Sequence, residues 1–259
     1  MYLCPRMKPN GIMERMERRR IVIVGATSGI GYEVAMELLR QGWHVGVAGR
    51  RVERLREIEA LAPARVKHRQ IDVTREDAPE QLHGLVEELG GMDVFLLCAG
   101  IGRQNPTLQA DVELATAQTN VDGFIRMVDA AYDYFRRRGG GHIGVISSIA
   151  GTKGLGAAPA YSATKRFQNT YIDALAQLAR MQRLAIRFTD IRPGFVDTDL
   201  LRGDKRYPML MNPARVAARI VRALGRRERV CVIDGRYRLL VFLWRLIPRW
   251  LWERMPVKN

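Results

Sequence analysis

The segment Ile21-Val-Ile-Val-Gly-Ala-Thr-Ser-Gly-Ile-Gly31 decides the fold of this chain. Its first four residues form a short β-branched run, which is typical of a parallel strand buried on both faces. Glycines follow at positions 25, 29 and 31, and a helical pattern then extends over 32–41. A strand, a glycine-rich turn and a helix in this order predict a site where a pyrophosphate rests on the helix N-terminus, although ordinary connecting turns can have the same spacing.

The same alternation continues along the chain. Further strand-like runs lie at 44–48, 65–70, 94–98, 142–146, 184–191 and 229–233, and helical patterns lie at 52–60, 75–89, 112–138, 158–181 and 213–224. No repeat, low-complexity segment or linker rich in Pro, Gly or Ser interrupts the series. The pattern predicts a single α/β domain over 20–235, with a Rossmann-like, doubly wound parallel sheet of about seven strands. Residues 1–19 are predicted to be a flexible lead-in.

The composition narrows the functional classes. The 259 residues are 47% hydrophobic and 27% charged, as in a globular protein with a sizeable core. The net charge of +15 favours anionic partners such as phosphates, acidic carrier proteins or anionic lipid. We do not expect nucleic acid as a partner, because the chain has no zinc-knuckle spacing, RNA-recognition signature or basic heptad region.

The cysteines and residues 1–20 indicate the cellular compartment of the protein. Cys4, Cys98 and Cys231 are odd in number and far apart, and the last two lie in apolar runs. They are interpreted as small buried side chains in a reducing compartment, not as a disulfide or a metal site. Residues 1–20 contain no apolar core of signal-peptide length. A cytoplasmic protein without a bound metal is therefore expected.

The end of the second strand bears on the choice of nucleotide. The run 44–48 leads directly to Gly49-Arg50-Arg51. A cofactor with two ribose hydroxyls would be bound by an acidic residue here, and none is present. Arg50 and Arg51 can instead pair with a 2′-phosphate, since guanidinium suits phosphate geometry, although a solvated basic turn would have the same residues. Given a nucleotide site, the sequence favours NADP(H) over NAD(H).

A tyrosine and a lysine on one helix predict acid–base chemistry. In Tyr161-Ser-Ala-Thr-Lys165 the two side chains lie one turn apart on the same face. A nearby ammonium lowers the pKa of a phenol from its ordinary value of about 10 and makes it a usable general acid or base. On its own the pair is weak evidence, because an exposed helical pair has the same spacing. Ser147 and Ser148 end the strand 142–146, where ligands bind in open α/β sheets, but they can also form a cap or turn.

Three other short segments carry candidate residues. Asn120 lies inside the predicted helix 112–138 and is followed by Gly123. Both residue types have low helix propensity, so together they destabilise the helix at this place. Such a violation indicates a kinked or functional site, or a polar residue satisfied in the core. The three glycines 139–141 are expected to end that helix. Asp72, after the third strand, either accepts a hydrogen bond from an adenine amine or caps a turn, and Gly100 permits close approach after the fourth strand.

These separated motifs agree in order and spacing, and together they resemble the classical short-chain dehydrogenase/reductase family over roughly 20–233. The family's catalytic Asn, Ser, Tyr and Lys fall on Asn120, Ser148, Tyr161 and Lys165. Ser148 is preferred to Ser147 because the family's serine usually precedes its tyrosine by the same interval. The implied cofactor-binding residues are Gly25, Thr27, Ser28, Gly29, Ile30, Gly31, Arg50, Arg51, Asp72, Val73, Ala99, Gly100, Tyr161, Lys165, Pro193, Gly194, Val196 and Thr198.

The resemblance implies an oxidoreductase in which hydride passes between NADP(H) and a carbonyl or secondary alcohol. Tyr161 would donate the proton, Ser148 would hold the carbonyl oxygen, and Lys165 would lower the tyrosine pKa and bind the nicotinamide ribose. Asn120 would anchor a water that connects Lys165 to solvent. The family is commonly dimeric or tetrameric, so a homodimer or homotetramer is expected. Alternatives are a 3-oxoacyl carrier-protein reductase and a non-catalytic NADP(H)-sensing scaffold.

Two departures from the family pattern concern bracing of the glycine turn. Val24 stands where the family often has Thr, and Leu97-Cys98 stands where it often has Asn-Asn. Both remove side chains that would hydrogen-bond across the turn and the fourth strand. We therefore expect bracing, more than chemistry, to differ from the family pattern.

The C-terminal part is the least explained by the resemblance. The long loop 195–213 is predicted to be a substrate lid, and an apolar substrate is expected from its Met209-Leu-Met211 and from the Trp-rich tail 236–259. The longest apolar run of the tail, 239–244, is far too short to span a membrane, and Pro248 should break a helix. Two short amphipathic helices would then either pack on the body, over the pocket or a subunit interface, or make peripheral contact with an anionic membrane through 236–255. Packing is the favoured alternative.

Overall fold

The structure, a computed structural model, describes residues 19–201 and 207–257. Cys4, most of the predicted lead-in and residues 202–206 of the predicted lid lie outside the described residues. Within the described ranges the strands are β1 Arg20–Val24, β2 His44–Gly49, β3 Val66–Gln70, β4 Val94–Leu97, β5 Gly140–Ile146, β6 Ala185–Arg192 and β7 Val230–Val232. They form one parallel sheet in the order β3-β2-β1-β4-β5-β6-β7. The predicted doubly wound, Rossmann-like parallel sheet of seven strands is confirmed.

The helices alternate with these strands. Their bounds are α1 Gly29–Arg40, α2 Val52–Leu61, α3 Ala78–Glu88, α4 Ala110–Ala117, α5 Gly123–Arg138, α6 Pro159–Met181, α7 Pro213–Gly225, α8 Gly235–Leu246 and α9 Arg249–Trp252. Most bounds agree with the sequence patterns to within a few residues. The largest shifts at a helix start are three residues each, at α1 and at α3. Helix α3 begins at Ala78 rather than at 75 because Pro79 lies in its first turn, where proline favours helix initiation.

Alternation along β1 explains why helices cover both faces of the sheet. Ile21 and Ile23 pack with α1, α2, α7 and α8, whereas Val22 and Val24 pack with α3, α5 and α6. All four side chains are fully buried. Successive residues of a strand point to opposite faces, so a continuous apolar run is what a strand between two helical layers requires.

The predicted long helix 112–138 is interrupted at the expected position. A single π-helical segment, Gln118–Asp122, separates α4 from α5 and contains Asn120. Single π turns inside α-helices commonly accompany functional sites. Gly139 ends α5 in a left-handed conformation (φ +84°), as a C-terminal glycine does. The next two glycines differ from the prediction, because they already belong to β5 and pair with β6.

The tail forms two short helices separated at Pro248, and it packs on the body. Helix α8 contributes the buried Tyr237 and Val241 to the cluster on the α1 and α7 face. Helix α9 contributes Trp252 to a small separate cluster with Ala150 and Leu155. Among the described residues, no helix combines the length and the apolar character needed to cross a bilayer.

Candidate active site

One cavity of about 1100 Å³ lies at the carboxyl ends of the strands. This edge is where ligands bind in open α/β sheets, because loops from neighbouring strands diverge there. All eighteen residues that the sequence predicts to contact a cofactor line this cavity, and so does Ser148. Asn120 does not line it and is fully buried.

The glycine turn after β1 is held tightly by the backbone. Gly25 has φ +93°, and a Cβ atom on it would lie 2.5 Å from the nitrogen of Ala99. A Cβ on Gly31 would overlap the carbonyl oxygen of Gly25. The Cys98 and Ala99 N–H groups both donate to the Val24 carbonyl oxygen, at 2.8 and 2.9 Å. Backbone hydrogen bonds therefore brace this turn where the family pattern would use Thr and Asn side chains.

Arg51 lies across the same turn. Its guanidinium donates to the hydroxyl of Thr27 at 2.9 Å and to that of Ser28 at 2.5 Å. Ser28 is the N-cap residue of α1, but its side chain makes no capping hydrogen bond to the helix. Arg50 and Arg51 are both exposed. The turn thus combines two guanidinium groups, two hydroxyls and a helix N-terminus, all of which bind anions.

Asp72 forms the turn after β3. Its Oδ1 atom accepts hydrogen bonds from the Thr74 backbone N–H and hydroxyl, at 3.0 and 2.8 Å. Burial tends to raise the pKa of Asp72, but these hydrogen bonds and the charges of Arg50 and Arg75 outweigh it and lower the pKa below its ordinary value. The turn-forming alternative for Asp72 is therefore present in the structure, at the rim of the cavity.

Ser148 and Tyr161 meet on the opposite wall. The Ser148 hydroxyl accepts from the backbone N–H of Ala150 at 3.1 Å and so caps a short 3₁₀ helix, Ile149–Thr152. Burial raises the pKa of Tyr161, and a hydrogen bond with Ser148 offsets part of the rise. The phenol is therefore protonated at neutral pH in this structure, and the expected lowering of its pKa by Lys165 is not the dominant influence here.

Lys165 is buried beneath that wall. Its Nζ donates to the Ile146 carbonyl and to Gln168 Oε1, each at 3.0 Å, and lies 5.8 Å from the centre of the Tyr161 ring. Burial lowers the pKa of Lys165 to about 8, against the opposing influence of the Asp190 charge. The ammonium is thus largely charged at neutral pH and close enough to the phenol to affect its ionisation.

Asn120 holds the loop that follows β4. Its side chain donates to the Ile101 carbonyl at 2.7 Å and accepts from the Ile101 N–H at 2.9 Å. The backbone carbonyl oxygen of Asn120 accepts a hydrogen bond from Gln168 Nε2 at 2.9 Å. Gln168 therefore joins Asn120 to Lys165 directly. Sequence reasoning missed Gln168, although its position three residues after Lys165 places it on the same helical face.

A buried ion pair lies behind the strand-end serines. Arg192 donates to Asp190 Oδ2 from two nitrogens, at 2.6 and 2.8 Å, and both side chains are almost fully buried. The same carboxylate accepts from the Ser147 hydroxyl and from Asn169 Nδ2. This network connects β5, β6 and α6 immediately below Ser148. The sequence reasoning missed this pair, although two opposite charges two positions apart within a buried strand are a sequence signal for it.

Tyr237 connects the tail to the lid. Its hydroxyl accepts from the Phe195 N–H at 3.1 Å and faces the carbonyls of Pro208 and Met209, each at 3.2 Å. A Cβ on Gly194 would overlap the Tyr237 ring. The packing of a tail side chain therefore requires the glycine of the Pro193-Gly194 pair.

The tail is also fastened beside the segment that leads to Tyr161. Trp252 Nε1 donates to the Gly154 carbonyl at 2.7 Å, and Lys153 Nζ donates to the Ile247 carbonyl at 2.8 Å. Trp244 packs edge-on against Trp252, with ring centres 5.3 Å apart. The tail therefore packs on the body, and its Leu240, Trp244 and Val257 line the cavity.

The part of the cavity wall that comes from the predicted lid, the tail and the segment before α6 is mainly apolar. Its lining residues are Leu155, Ala158, Leu201, Pro208, Met209, Leu240, Trp244 and Val257. Cys98 also lines the cavity, but burial raises the pKa of its thiol to about 12, so it is not a thiolate. Among the described residues, no group of His, Cys, Asp or Glu side chains is arranged to hold a metal ion.

Comparison with known proteins gives a consistent result. The family profile described as short chain dehydrogenase matches residues 19–207. An uncharacterized oxidoreductase of Myxococcus xanthus is 34% identical over 203 residues, which are 76% of this chain and 79% of that protein. Dehydrogenase/reductase SDR family member 7B of Bos taurus is 30% identical over 253 residues, 88% of this chain and 77% of that protein. A solved structure of ElxO with NADP bound is 25% identical, with a TM-score of 0.75 over 85% of this chain and 99% of that chain.

Proposed function

The chain belongs to the short-chain dehydrogenase/reductase family of oxidoreductases, and from this we propose that it uses NADP(H) in preference to NAD(H) to interconvert a carbonyl and a secondary alcohol of an apolar small molecule. One observation carries the proposal. A single cavity brings together the basic glycine turn and the side chains of Ser148, Tyr161 and Lys165. Anion recognition and a positioned proton donor in one cleft are what such a reaction needs.

The residues present fit a dinucleotide. Small-ligand sites usually have about 300–1,000 Å³, so a cavity of about 1100 Å³ has room for a dinucleotide and a substrate together. The close turn at Gly25 and Gly31 lets a pyrophosphate approach the backbone, and the first N–H groups of α1 would bind it. Thr198 and Val196 also line the cavity, and the Thr198 side chain lies against Gly29, where an added Cβ would be 3.2 Å from its Cγ2.

The proposed preference for NADP(H) rests on the end of β2. Arg50 and Arg51 follow that strand directly, where an acidic residue would bind two ribose hydroxyls. Arg51 is already held over the turn by Thr27 and Ser28, so it is positioned for a phosphate on the adenosine ribose. The NADP in the similar ElxO structure also supports this choice.

When bound, the cofactor supplies or accepts the hydride. The residues of this chain manage the proton and the developing charge. Tyr161, whose burial keeps the phenol protonated, donates to the carbonyl oxygen during reduction. Ser148 holds that oxygen by a hydrogen bond, which stabilises the negative charge that develops on it. Lys165, charged at neutral pH, stabilises the phenolate that remains.

Gln168 gives this chain an individual arrangement behind the lysine. The family resemblance implies a water between Asn120 and Lys165. Here Gln168 bonds both the Asn120 backbone carbonyl and Lys165 Nζ, so its side chain links the two groups directly. We propose that Gln168 orients the ammonium and that Asn120 acts by holding Gln168 and the loop at Ile101.

The proposal is tested first by nucleotide binding. The full chain is titrated with NADPH and with NADH, and the fluorescence of each nucleotide is followed. Tight NADPH binding with weak NADH binding is expected, and Arg51→Ala should reduce that difference. Equal binding would remove the preference for NADP(H), and binding of neither nucleotide would contradict the oxidoreductase mechanism.

A second test addresses the proton donor. In Tyr161→Phe the ring remains but the proton is lost, so turnover of a panel of ketones should disappear while NADPH binding is retained. Tyr171→Phe is the matched control, because that hydroxyl bonds Asp129 on another surface. Near-normal turnover by the Tyr161 variant would contradict the assignment.

We also propose a cytoplasmic homodimer or homotetramer, by analogy with the family. Sedimentation velocity measures the assembly directly, and a monomer at all concentrations would contradict this part. Peripheral membrane contact through 236–255 remains compatible with a tail that packs on the body, because only one face of α8 is used for packing.

A further inference from the structure

The tail carries an apolar surface that no other part of the described chain covers. The face of α8 toward the body consists of Tyr237, Leu240, Val241 and Trp244, which enter the core or line the cavity. On the other side, Leu239, Phe242, Leu243 and Leu246 are 60%, 59%, 48% and 63% exposed. Their spacing of i, i+3, i+4 and i+7 puts them in one stripe. We call these four residues and the equally exposed Trp250 of α9 the outer stripe.

A helix with apolar residues on two faces is typical of a helix covered from both sides. Isolated apolar side chains on a surface are ordinary, but a contiguous stripe next to a functional cavity indicates an interaction site. Leu251 and Met255, in the same C-terminal segment, are each 39% exposed. The outer stripe therefore needs an occupant.

Arginines border the outer stripe on both sides. Arg238 and Arg245, seven positions apart, lie along one margin, and Arg236 lies along the other. All three are exposed. Residues 234–257 contain five arginines and two acids, Asp234 and Glu253, so their net charge is +3. Arg236 forms an ion pair with Asp234, whereas no ion pair is found for Arg238 or Arg245 among the described residues. Arginines can extend from the edge of an apolar face to headgroups above it, which is the pattern of helices that lie in a lipid interface.

We propose that the outer stripe docks on an anionic lipid surface. A face-to-face dimer through the same stripe is disfavoured, because it would bring two sets of arginines together. Anionic headgroups would supply the missing negative charge, and acyl chains would cover the apolar side chains. Since Leu240 and Trp244 line the cavity from the inner face, docking places the cavity directly beneath the lipid surface. Apolar substrates could then enter the cavity from the lipid surface, a consequence that rests on the proposed function.

The test measures co-sedimentation of the full chain with phosphatidylcholine vesicles that contain either no anionic lipid or about one third phosphatidylserine. Binding is expected for the anionic vesicles and should weaken as salt is added. Replacing Phe242→Ser together with Leu246→Ser should reduce binding by about tenfold. The matched control is Leu61→Ser with Leu114→Ser, which removes equally exposed apolar side chains from other helices and should bind as the unchanged chain does.

Three outcomes would overturn the proposal: equal binding to neutral vesicles, undiminished binding of the Phe242→Ser, Leu246→Ser variant, or a dimer that this variant disperses while vesicles bind neither protein. NADPH affinity is measured on every variant in parallel. Lost vesicle binding with normal NADPH affinity isolates the docking surface. Absent NADPH binding by the unchanged chain would count against the proposed function and leave the docking result intact.

Discussion

The two ends of the cavity are built in different ways. At the end that we propose to hold the cofactor, called the cofactor end below, the wall is mostly backbone from short turns, and its shape depends on glycines. At the end that we propose to hold the substrate, called the substrate end below, the wall consists of side chains from the predicted lid and the tail. Tyr237 bonds a lid residue 42 positions away, and Trp252 bonds a carbonyl 98 positions away.

This difference indicates at which end the cavity tolerates amino-acid substitutions. A glycine turn that would clash with a single added carbon has no freedom to adapt, so binding of the dinucleotide should be sensitive to small substitutions there. The substrate end is held by a few hydrogen bonds to the tail. Changes in those bonds should alter substrate handling and leave nucleotide affinity unchanged, which gives a direct way to separate the two ends.

The largest effect on nucleotide affinity is expected at Gly31. In Gly31→Ala the added carbon overlaps the Gly25 carbonyl oxygen, so the turn must open. Overpacking of this kind costs about 1–3 kcal/mol, which corresponds to a loss of NADPH affinity of roughly 5- to 150-fold if the strain falls on the bound turn. Nucleotide fluorescence titration measures it. Gly225→Ala is the control, because an added carbon at the end of α7 meets nothing within 4 Å.

The next effect is expected at Asp190, between the two ends. Asp190→Asn leaves Arg192 buried without its counter-charge, which costs about 3–5 kcal/mol of unfolding free energy. The charge of Asp190 also raises the pKa of Lys165. Without that charge the pKa of Lys165 falls from its value of about 8. Lys165 then loses its proton at lower pH, so the alkaline limb of the pH–rate profile should shift to lower pH.

A second variant separates stability from charge. Asp190→Asn combined with Arg192→Met removes both buried charges and should recover most of the lost stability, while the shifted pH–rate profile persists. Asp173→Asn removes an exposed ion pair with Arg229 and should change neither property. An unshifted profile in a folded double variant would show that Asp190 acts only through packing.

The contrast between the ends also explains how far the sequence could predict this protein. The alternation of strands and helices and the glycine turn depend on local patterns, because a buried run, a turn and a helix follow one another repeatedly along the chain. The residues of the cofactor end were implied by the family resemblance, and the structure brings them together in one cavity. The π-helical turn at Asn120 was foreseeable because Asn and Gly violate helix propensity at one place.

Other features depend on partners that are distant in sequence and have no local signature. Gln168 is unremarkable as a sequence position, and its importance follows only from the bonds to Asn120 and Lys165. Gly194 was assigned to cofactor contact, yet the ring of Tyr237 also requires it. Tertiary packing, rather than propensity, determines these positions.

A moderate effect is expected at Tyr237, which joins the lid to the tail. Tyr237→Phe leaves the Phe195 N–H and a lid carbonyl without their partner, at a cost of about 1–3 kcal/mol. KM for the substrate should rise several-fold, while NADPH affinity should stay the same. Tyr132→Phe is the control, because its hydroxyl bonds Gln182 away from the cavity. Weaker NADPH binding in the Tyr237 variant would show that the two ends are coupled.

The smallest effect is expected at Trp252, and its measurement tests whether the tail opens independently of the sheet. Trp252→Phe keeps an aromatic ring in the small cluster but removes the hydrogen bond to Gly154, worth about 0.5–1.5 kcal/mol. Lys153 still bonds the Ile247 carbonyl, so the tail should stay docked and open more often. Hydrogen exchange of α8 and α9 should therefore become faster, with only a small rise in substrate KM. If exchange quickens throughout the sheet as well, the tail is part of the core's cooperative unit, and the substrate end is not the separate element that its construction indicates.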